Sequence, residues 1–299
     1  MRRNILLLIP MAAAFVACDK STLQKGEPII IKAAVNIPTK SNPIGDPEAQ
    51  KRFNPGDRIE LTDNSSRLTA VYAMENDGSW APEGNKYLTW DNGRASFQAF
   101  YPAGYRLLSD QSDDAGLAAS DHMGTALTDL TDDGSHEVSL EFSRSNSLVT
   151  FKISGYNNQF TENEHYISDF KIFLPKDNDS DKPLEITPYM RDNEGTYQPA
   201  GSKGNVGFTY TAIGYPESSS FDHSSHKFAE LTVKTADGRI STSLSVMGIP
   251  HLEAGKSYIY NLVVGKDKVD VAGVTVNDWG PNIGISSDGF EAQPYGNTL

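Results

Sequence analysis

The sequence predicts an all-β protein. Along most of its 299 residues, short runs alternate apolar and polar side chains with a period of two, which is the strand pattern. Glycine, proline, asparagine and aspartate separate these runs, and the helical period of 3.6 residues is nearly absent. Many short strands joined by turns are typical of sandwiches and barrels, whereas βαβ units would alternate strands with helices.

The alternation is clearest in a handful of runs that we predict to be strands. In residues 95–101 the apolar side chains lie at every second position, with Arg94, Ser96 and Gln98 on the opposite face. The tetrapeptide 236–239 contains Asp-Gly, the preferred pair for a tight hairpin turn, and joins two of the runs. The other predicted strands are 138–142, 206–212, 231–233, 240–246 and 258–264.

Residues 1–17 have the layout of a secretory signal peptide. Arg2 and Arg3 precede an apolar run over residues 5–16, which is shorter than the about 20 residues needed to cross a bilayer. The junction Ala17-Cys18 resembles a bacterial lipobox, in which cleavage precedes a cysteine that is then acylated. We therefore expect cleavage between these two residues and a polar tether over 18–27. An ordinary signal peptide with an incidental cysteine is the alternative.

Composition excludes several classes of function. Cys18 is the single cysteine, so the exported chain has no internal disulfide and no other thiol for catalysis or metal binding. The formal net charge of −13 argues against nucleic acid as a partner and against electrostatic docking on anionic lipid. No nucleophile elbow, phosphate-binding loop or dinucleotide fingerprint is present. The sequence therefore predicts a protein without enzymatic activity or cofactor, and an exported hydrolase is a distant alternative, because the carboxylates of a glycosidase meet only in the fold.

The stretch 108–135 is rich in turn residues and contains seven aspartates with few apolar residues. We place a domain boundary at its end, which gives one domain over 28–136 and a second over 137–299, the latter ending in a tail at 280–299. A single large sandwich is the alternative, because all-β domains of this size exist.

Several motifs, taken in order, resemble the fimbrillin family of Bacteroidota, the subunits and accessory proteins of type V pili. Residues 53–59 are similar to its F-x-x-G-D-x-I element, and 97–102 to its F-x-A-Y-Y-P run. Ser143 departs from the family, where a histidine is frequent. The remaining similar segments are 138–142 with 148–153, 252–258 and 274–279. The resemblance implies two transthyretin-like antiparallel β-sandwich domains in series.

The family resemblance also implies a function and a set of site residues. It implies a structural or adhesive component of fimbriae, held on the cell outer membrane as a lipoprotein and assembled with other fimbrial subunits by donor-strand exchange. In that family a protease removes an N-terminal strand after Arg or Lys, for which Arg52 before Phe53 fits best. The removable strand would present Ile29, Ile31, Ala33 and Val35 to the core.

Three alternatives remain open from the sequence. Lys51 and Arg52 are also explained as solvated loop charges, and the chain as a surface lipoprotein that binds glycans or host ligands without polymerising. The tail at 280–299 is either a donated strand or a loosely docked end. Six aromatic residues are expected to pack in the cores rather than to stack on sugars: Trp80, Tyr87, Trp90, Phe97, Tyr101 and Trp279.

Metal binding is not expected. The pair His223 and His226 lies in a serine-rich loop without a neighbouring cysteine, which is a weak metal pattern. The acidic run 177–181 resembles the first half of a calcium loop, but Lys182 and Pro188 occupy the positions where an EF-hand needs glycine and glutamate. A solvated turn is the expected structure there, and a simpler calcium site is the alternative.

Overall fold

The computed structural model describes residues 26–35, 53–160, 165–177, 182–216, 222–237 and 241–279. Within these ranges the chain forms seventeen strands and one short helix, α1 (Asp114–Ala119). The strands are β1 (Ile30–Val35), β2 (Arg58–Asp63), β3 (Thr69–Met74), β4 (Trp80–Pro82), β5 (Arg94–Tyr101), β6 (Met123–Thr131), β7 (Glu137–Arg144), β8 (Ser147–Tyr156), β9 (His165–Leu174), β10 (Leu184–Ile186), β11 (Tyr189–Arg191), β12 (Tyr197–Gln198), β13 (Thr209–Gly214), β14 (Lys227–Thr235), β15 (Ser241–Met247), β16 (Lys256–Val264) and β17 (Val269–Asp278). The predicted all-β class is confirmed.

The first sheet has seven strands in the order β1-β7-β6-β5-β2-β3-β4. Its alternating apolar side chains, from Ile59 and Leu61 to Phe97 and Phe142, pack into one cluster that we call the first core. The short segment 88–90 bridges to the residues that lead into β1, so that the two ends of the sheet approach each other. The strand β1 therefore lies at the seam where the sheet closes on itself.

The remaining strands form two facing sheets. Their orders are β10-β9-β14-β15 and β12-β11-β13-β8-β16-β17. Inward side chains of both, such as Phe151 on β8 and Phe170 on β9, share a second core. Strand pairs are antiparallel in the described part of the chain except for β1 with β7 and β8 with β16, which are parallel. These two parallel pairs depart from the antiparallel sheets that the sequence predicts.

Sheet membership does not follow the boundary expected near residue 136. Strand β7 belongs to the first sheet, and its Val138, Leu140 and Phe142 lie in the first core, so the change of sheet falls between Arg144 and Ser147. Whether the two halves fold independently stays a prediction.

The aspartate-rich stretch contains regular secondary structure. It contains α1 and β6, and four of its seven aspartates accept main-chain hydrogen bonds in turns or at the start of α1, namely Asp110, Asp113, Asp132 and Asp133. Asp113 caps α1 by accepting from the Gly116 N–H at 2.7 Å, and Asp132 accepts from the Gly134 N–H at 3.0 Å. The composition that suggested a boundary therefore reflects turn chemistry, because short acidic side chains serve as local acceptors there.

One predicted strand is displaced along the chain. Residues 206–208 form a turn in which Gly207 has a φ of +89°, and β13 begins only at Thr209. No helix in the described part of the chain is long and apolar enough to span a membrane.

Candidate functional site at the first strand

Strand β1 runs parallel to β7 with a continuous register from Ile30 opposite Glu137 to Val35 opposite Phe142. Ile29 and Ile31 point into the first core and are 6% and 5% exposed, whereas Ile30 between them is 50% exposed. Ala33 packs half-buried against the same core. The side chain of Val35 lies outside the described part. Ile29, Ile31 and Ala33 thus lie on one buried face, as the period of two predicts.

Main-chain groups hold the start of β1 on two sides. The Ile30 N–H donates to the His136 carbonyl at 2.8 Å, on the β7 side. On the other side the Ile29 N–H donates to the Leu88 carbonyl and the Trp90 N–H donates to the Glu27 carbonyl, both at 3.1 Å. The start of β1 therefore completes the ladder between two parts of the same sheet.

A buried tyrosine fixes the segment that faces β1. The Tyr72 hydroxyl accepts a hydrogen bond from the Leu88 N–H at 2.8 Å, and Tyr72 is 1% exposed. Burial raises the pKa of Tyr72 to about 12, although the bond from Leu88 opposes this rise. Sequence reasoning missed Tyr72 because its partner is a main-chain group 16 residues away, which leaves no residue pattern to find.

Most of β7 depends on β1 for its ladder. Strand β6 pairs with β7 only at Met123 opposite Arg144 and Gly124 opposite Ser143. Across residues 137–142, β1 is the sole ladder partner in the described part of the chain. Without β1, six residues of β7 would present unpaired main-chain groups next to an open core.

Phe53 is the centre of an aromatic cluster at the end of this seam. Its ring is 5% exposed and makes edge-to-face contacts with Trp80, Tyr101 and Phe142, at centroid distances of 5.1, 5.2 and 5.7 Å. Such pairs stabilise beyond their buried area. The residue that follows the predicted cleavage position is therefore anchored in the first core, against the β7 residue that lies opposite Val35.

Other residues singled out by the sequence fall into two groups. The predicted cleavage residues Ala17 and Cys18, the predicted processing residue Arg52 and the tail at 280–299 all lie outside the described residues. Among the aromatic residues expected to pack in the cores, Trp80 and Tyr87 are half-buried. The rest are buried, namely Trp90, Phe97, Tyr101 and Trp279.

The histidine pair does not form part of a larger donor cluster. His223 has its Nδ1 2.9 Å from the Ile249 carbonyl, and its ring lies against the ring of His251 at 4.2 Å. Within the described ranges, no group of three or more His, Cys, Asp or Glu side chains is placed to hold a metal ion. Of the acidic run 177–181, only Asp177 is described.

Comparison with known families identifies the chain. Residues 39–279 match the model of the fimbrillin-like family. The chain belongs to the fimbrillin-like family. This assignment makes it a member of a fimbrial protein family. No curated protein sequence matches the chain.

Solved structures of similar shape are remote in sequence from this fimbrillin-like protein. A candidate cell adhesion protein from Bacteroides ovatus has a TM-score of 0.49 and 15% identity, covering 86% of this chain and 99% of its own. One from Bacteroides uniformis has the same score and identity, with coverages of 84% and 98%. The C-terminally truncated tip fimbrial protein Mfa3 of Porphyromonas gingivalis has a TM-score of 0.41 and 10% identity, with coverages of 85% and 100%.

Proposed function

We propose that this fimbrillin-like protein is a lipid-anchored fimbrial component that joins other subunits by exchanging β1 for a strand of a neighbour. The observation that carries the proposal is the pairing of β1 with β7. This six-residue strand supplies the ladder of residues 137–142, and the core receives two buried isoleucines from this segment, Ile31 on the strand and Ile29 just before it. A strand with these contacts is replaceable by another extended segment that repeats them.

Physical chemistry favours such an exchange. Loss of β1 would uncover the inward side chains of β7, which are Val138, Leu140 and Phe142, together with the unpaired edge of that strand. Full burial of one large aliphatic side chain is worth about 1.5–3 kcal/mol. An incoming strand would regain this energy through alternate side chains and would regain main-chain bonds along β7, which is the principle of β-augmentation. An open edge beside an apolar groove favours association strongly.

The position of Phe53 supports processing just before it. A cut between Arg52 and Phe53 would free the segment containing β1 but leave the Phe53 ring in its cluster with Trp80, Tyr101 and Phe142. The new chain end would then be fixed beside the groove and would not compete with the incoming strand. Phe53 serves in this proposal as the anchor of the matured subunit.

The proposed partners are other fimbrial subunits, through the groove, and the outer membrane, through acylated Cys18. The alternative of a surface lipoprotein that binds glycans or host ligands without polymerising needs exposed aromatic rings for stacking. Trp90 and Trp279 are buried at 5% and 2% exposure, and Trp80 packs against the first core. Their burial argues against a glycan-stacking platform built from these tryptophans; among the described aromatic residues, Tyr197 is exposed, at 41%.

The test is cleavage of the purified chain lacking residues 1–18. An arginine-specific protease should release a product that begins at Phe53, identified by mass spectrometry. This product should form polymers that elute early in size-exclusion chromatography and appear as fibres in electron micrographs. The uncut chain should remain monomeric. The matched control is Arg52→Gln, which should remove both the cleavage and the polymers.

A peptide competition identifies the groove. A synthetic peptide of residues 27–35, added in excess during cleavage, should keep the product monomeric by occupying the β7 edge. The same peptide with Ile29→Asp and Ile31→Asp should have no effect, because charged side chains cannot enter the first core. A product that begins at Phe53 and stays monomeric without any peptide would refute assembly through this groove.

A further inference from the structure

A buried charged cluster joins three distant parts of the chain. The side chains of Asp121 and Arg144 are each 1% exposed, and the guanidinium Nε and Nη2 donate to the carboxylate at 3.2 Å. Arg144 Nη1 also donates to the Trp279 carbonyl at 3.2 Å, and its guanidinium carbon lies 4.5 Å from the centroid of the Trp279 ring. Asp121 follows α1, Arg144 ends β7 and Trp279 follows β17.

The chemistry of this cluster indicates a role beyond packing. A buried ion pair is weak evidence for stability, because apolar residues of similar volume often stabilise a core as well or better. The planar fork of arginine, however, binds a carboxylate and a carbonyl at the same time in a fixed geometry. Arg144 therefore sets the position of Trp279 relative to β7 more strictly than an apolar contact would.

Arg144 also lies on the strand most affected by the state of β1. Residues 137–142 of β7 have β1 as their ladder partner in the described part of the chain, while Ser143 and Arg144 pair with β6. If β1 were displaced, Ser143 and Arg144 would be the residues of β7 that keep a ladder partner. Arg144 belongs to that portion and contacts Trp279, the residue that directly follows β17.

We propose that Arg144 is a positioning residue that couples occupancy of the β1 edge to the ordering of the C-terminal end of β17. With β1 or a donated strand in place, β7 is held along its length and Arg144 fixes Trp279. With the edge empty, residues 137–142 lose their ladder and, in the described part of the chain, only the two β6 pairs at Ser143 and Arg144 hold β7, so that the contacts of Arg144 weaken and the end of β17 opens. This coupling rests on the proposed strand exchange, since that exchange is what empties and refills the edge.

Hydrogen exchange measured by mass spectrometry tests the coupling in the uncut chain. Ile31→Asp displaces β1 because it places a charge in the first core. In an otherwise unchanged chain it should raise exchange in residues 275–279 by about tenfold or more, as expected for a local opening. Residues 227–235 of β14, in the second core, should stay protected and so show that the second half remains folded.

The coupling should disappear when the arginine fork is removed. Arg144→Lys keeps the charge opposite Asp121 but lacks the planar fork, and Asp121→Leu with Arg144→Met removes both charges so that neither is left buried alone. In both backgrounds residues 275–279 should exchange fast already, and Ile31→Asp should add less than about twofold. Lys256→Met, which removes the exposed Lys256–Asp278 ion pair at the same end of β17, should leave the response intact.

Two outcomes would overturn the inference. One is unchanged protection of residues 275–279 when Ile31→Asp alone has exposed β7. The other is an equal increase in exchange after Ile31→Asp in the chain with Arg144 and in the two variants without it. That result would mean that other residues transmit the coupling. Neither measurement depends on polymerisation, so a failure of strand exchange is distinguished from a failure of the coupling.

Discussion

At the scale of single residues, the first strand shows how a period of two separates neighbouring isoleucines. Ile29 and Ile31 are buried in the first core, and Ile30 between them is half exposed on the outer face. The same residue type therefore occupies opposite environments one position apart. The alternation follows from strand geometry, since successive side chains point to opposite faces of a sheet.

This contrast gives a matched pair of substitutions. Ile31→Ala should lower the free energy of unfolding by about 2–4 kcal/mol, because it removes buried methyl groups and leaves a cavity in a packed core. Ile30→Ala should lower it by less than about 1 kcal/mol, since little buried area is lost there. Urea unfolding of the chain lacking residues 1–18, followed by tryptophan fluorescence, measures both. Equal effects would mean that β1 is not docked with Ile31 inward.

At the scale of elements, the segment between β5 and β6 joins the two halves of the molecule. Gln111 is fully buried and forms a reciprocal pair with β13, donating from Nε2 to the Ile213 carbonyl at 2.8 Å and accepting the Ile213 N–H at 2.7 Å. The main-chain N–H of Gln111 also donates to the Thr187 carbonyl at 3.0 Å. The side-chain amide of Gln111 therefore makes the two hydrogen bonds to β13 that the main chain of an added strand would make.

We expect Gln111→Ala to destabilise the junction strongly. It would leave a buried N–H and a buried carbonyl of Ile213 without this partner, and each such group costs about 1–3 kcal/mol. The free energy of unfolding should therefore fall by about 2–4 kcal/mol in urea titrations. Gln98→Ala, on the exposed face of β5, is the control and should change it by less than about 0.5 kcal/mol. A similar loss in both variants would show that the reciprocal pair is not important.

At the scale of the whole molecule, charge limits how copies associate. The chain has 39 acidic and 26 basic residues, so its copies repel one another at a distance. Assembly must therefore gain its energy at short range, from main-chain bonds and apolar burial of the kind that β1 supplies. A lipid anchor would add to this by concentrating the subunits at one surface.

The anchor itself is tested with Cys18→Ala in cells. The substitution should abolish labelling by a fatty-acid probe and release the protein from the membrane fraction almost completely. Cys18 is the proposed site of acylation, and stable anchoring needs the two or more acyl chains that it would carry. Ser21→Ala, three residues further along the tether, is the control and should leave both labelling and attachment unchanged. Continued membrane attachment of the Cys18→Ala protein would exclude the lipoprotein assignment.

The sequence by itself determined the features that depend on local periodicity. The all-β class and the inward positions of Ile29, Ile31 and Phe142 follow from alternation along one strand, which any paired strand must obey. The motif singled out Phe53, but it did not show that the Phe53 ring contacts three rings on β4, β5 and β7.

Only the tertiary structure decided which strands are neighbours. The assignment of β7 to the first sheet and its parallel pairing with β1 depend on contacts about a hundred residues apart in the chain. Asp121, Arg144 and Gln111 gave no pattern, because each acts through a partner that the fold brings close. Long-range pairing is decided by the combined burial of whole sheets, whereas the aspartates between β5 and β7 indicate only local turns in the sequence.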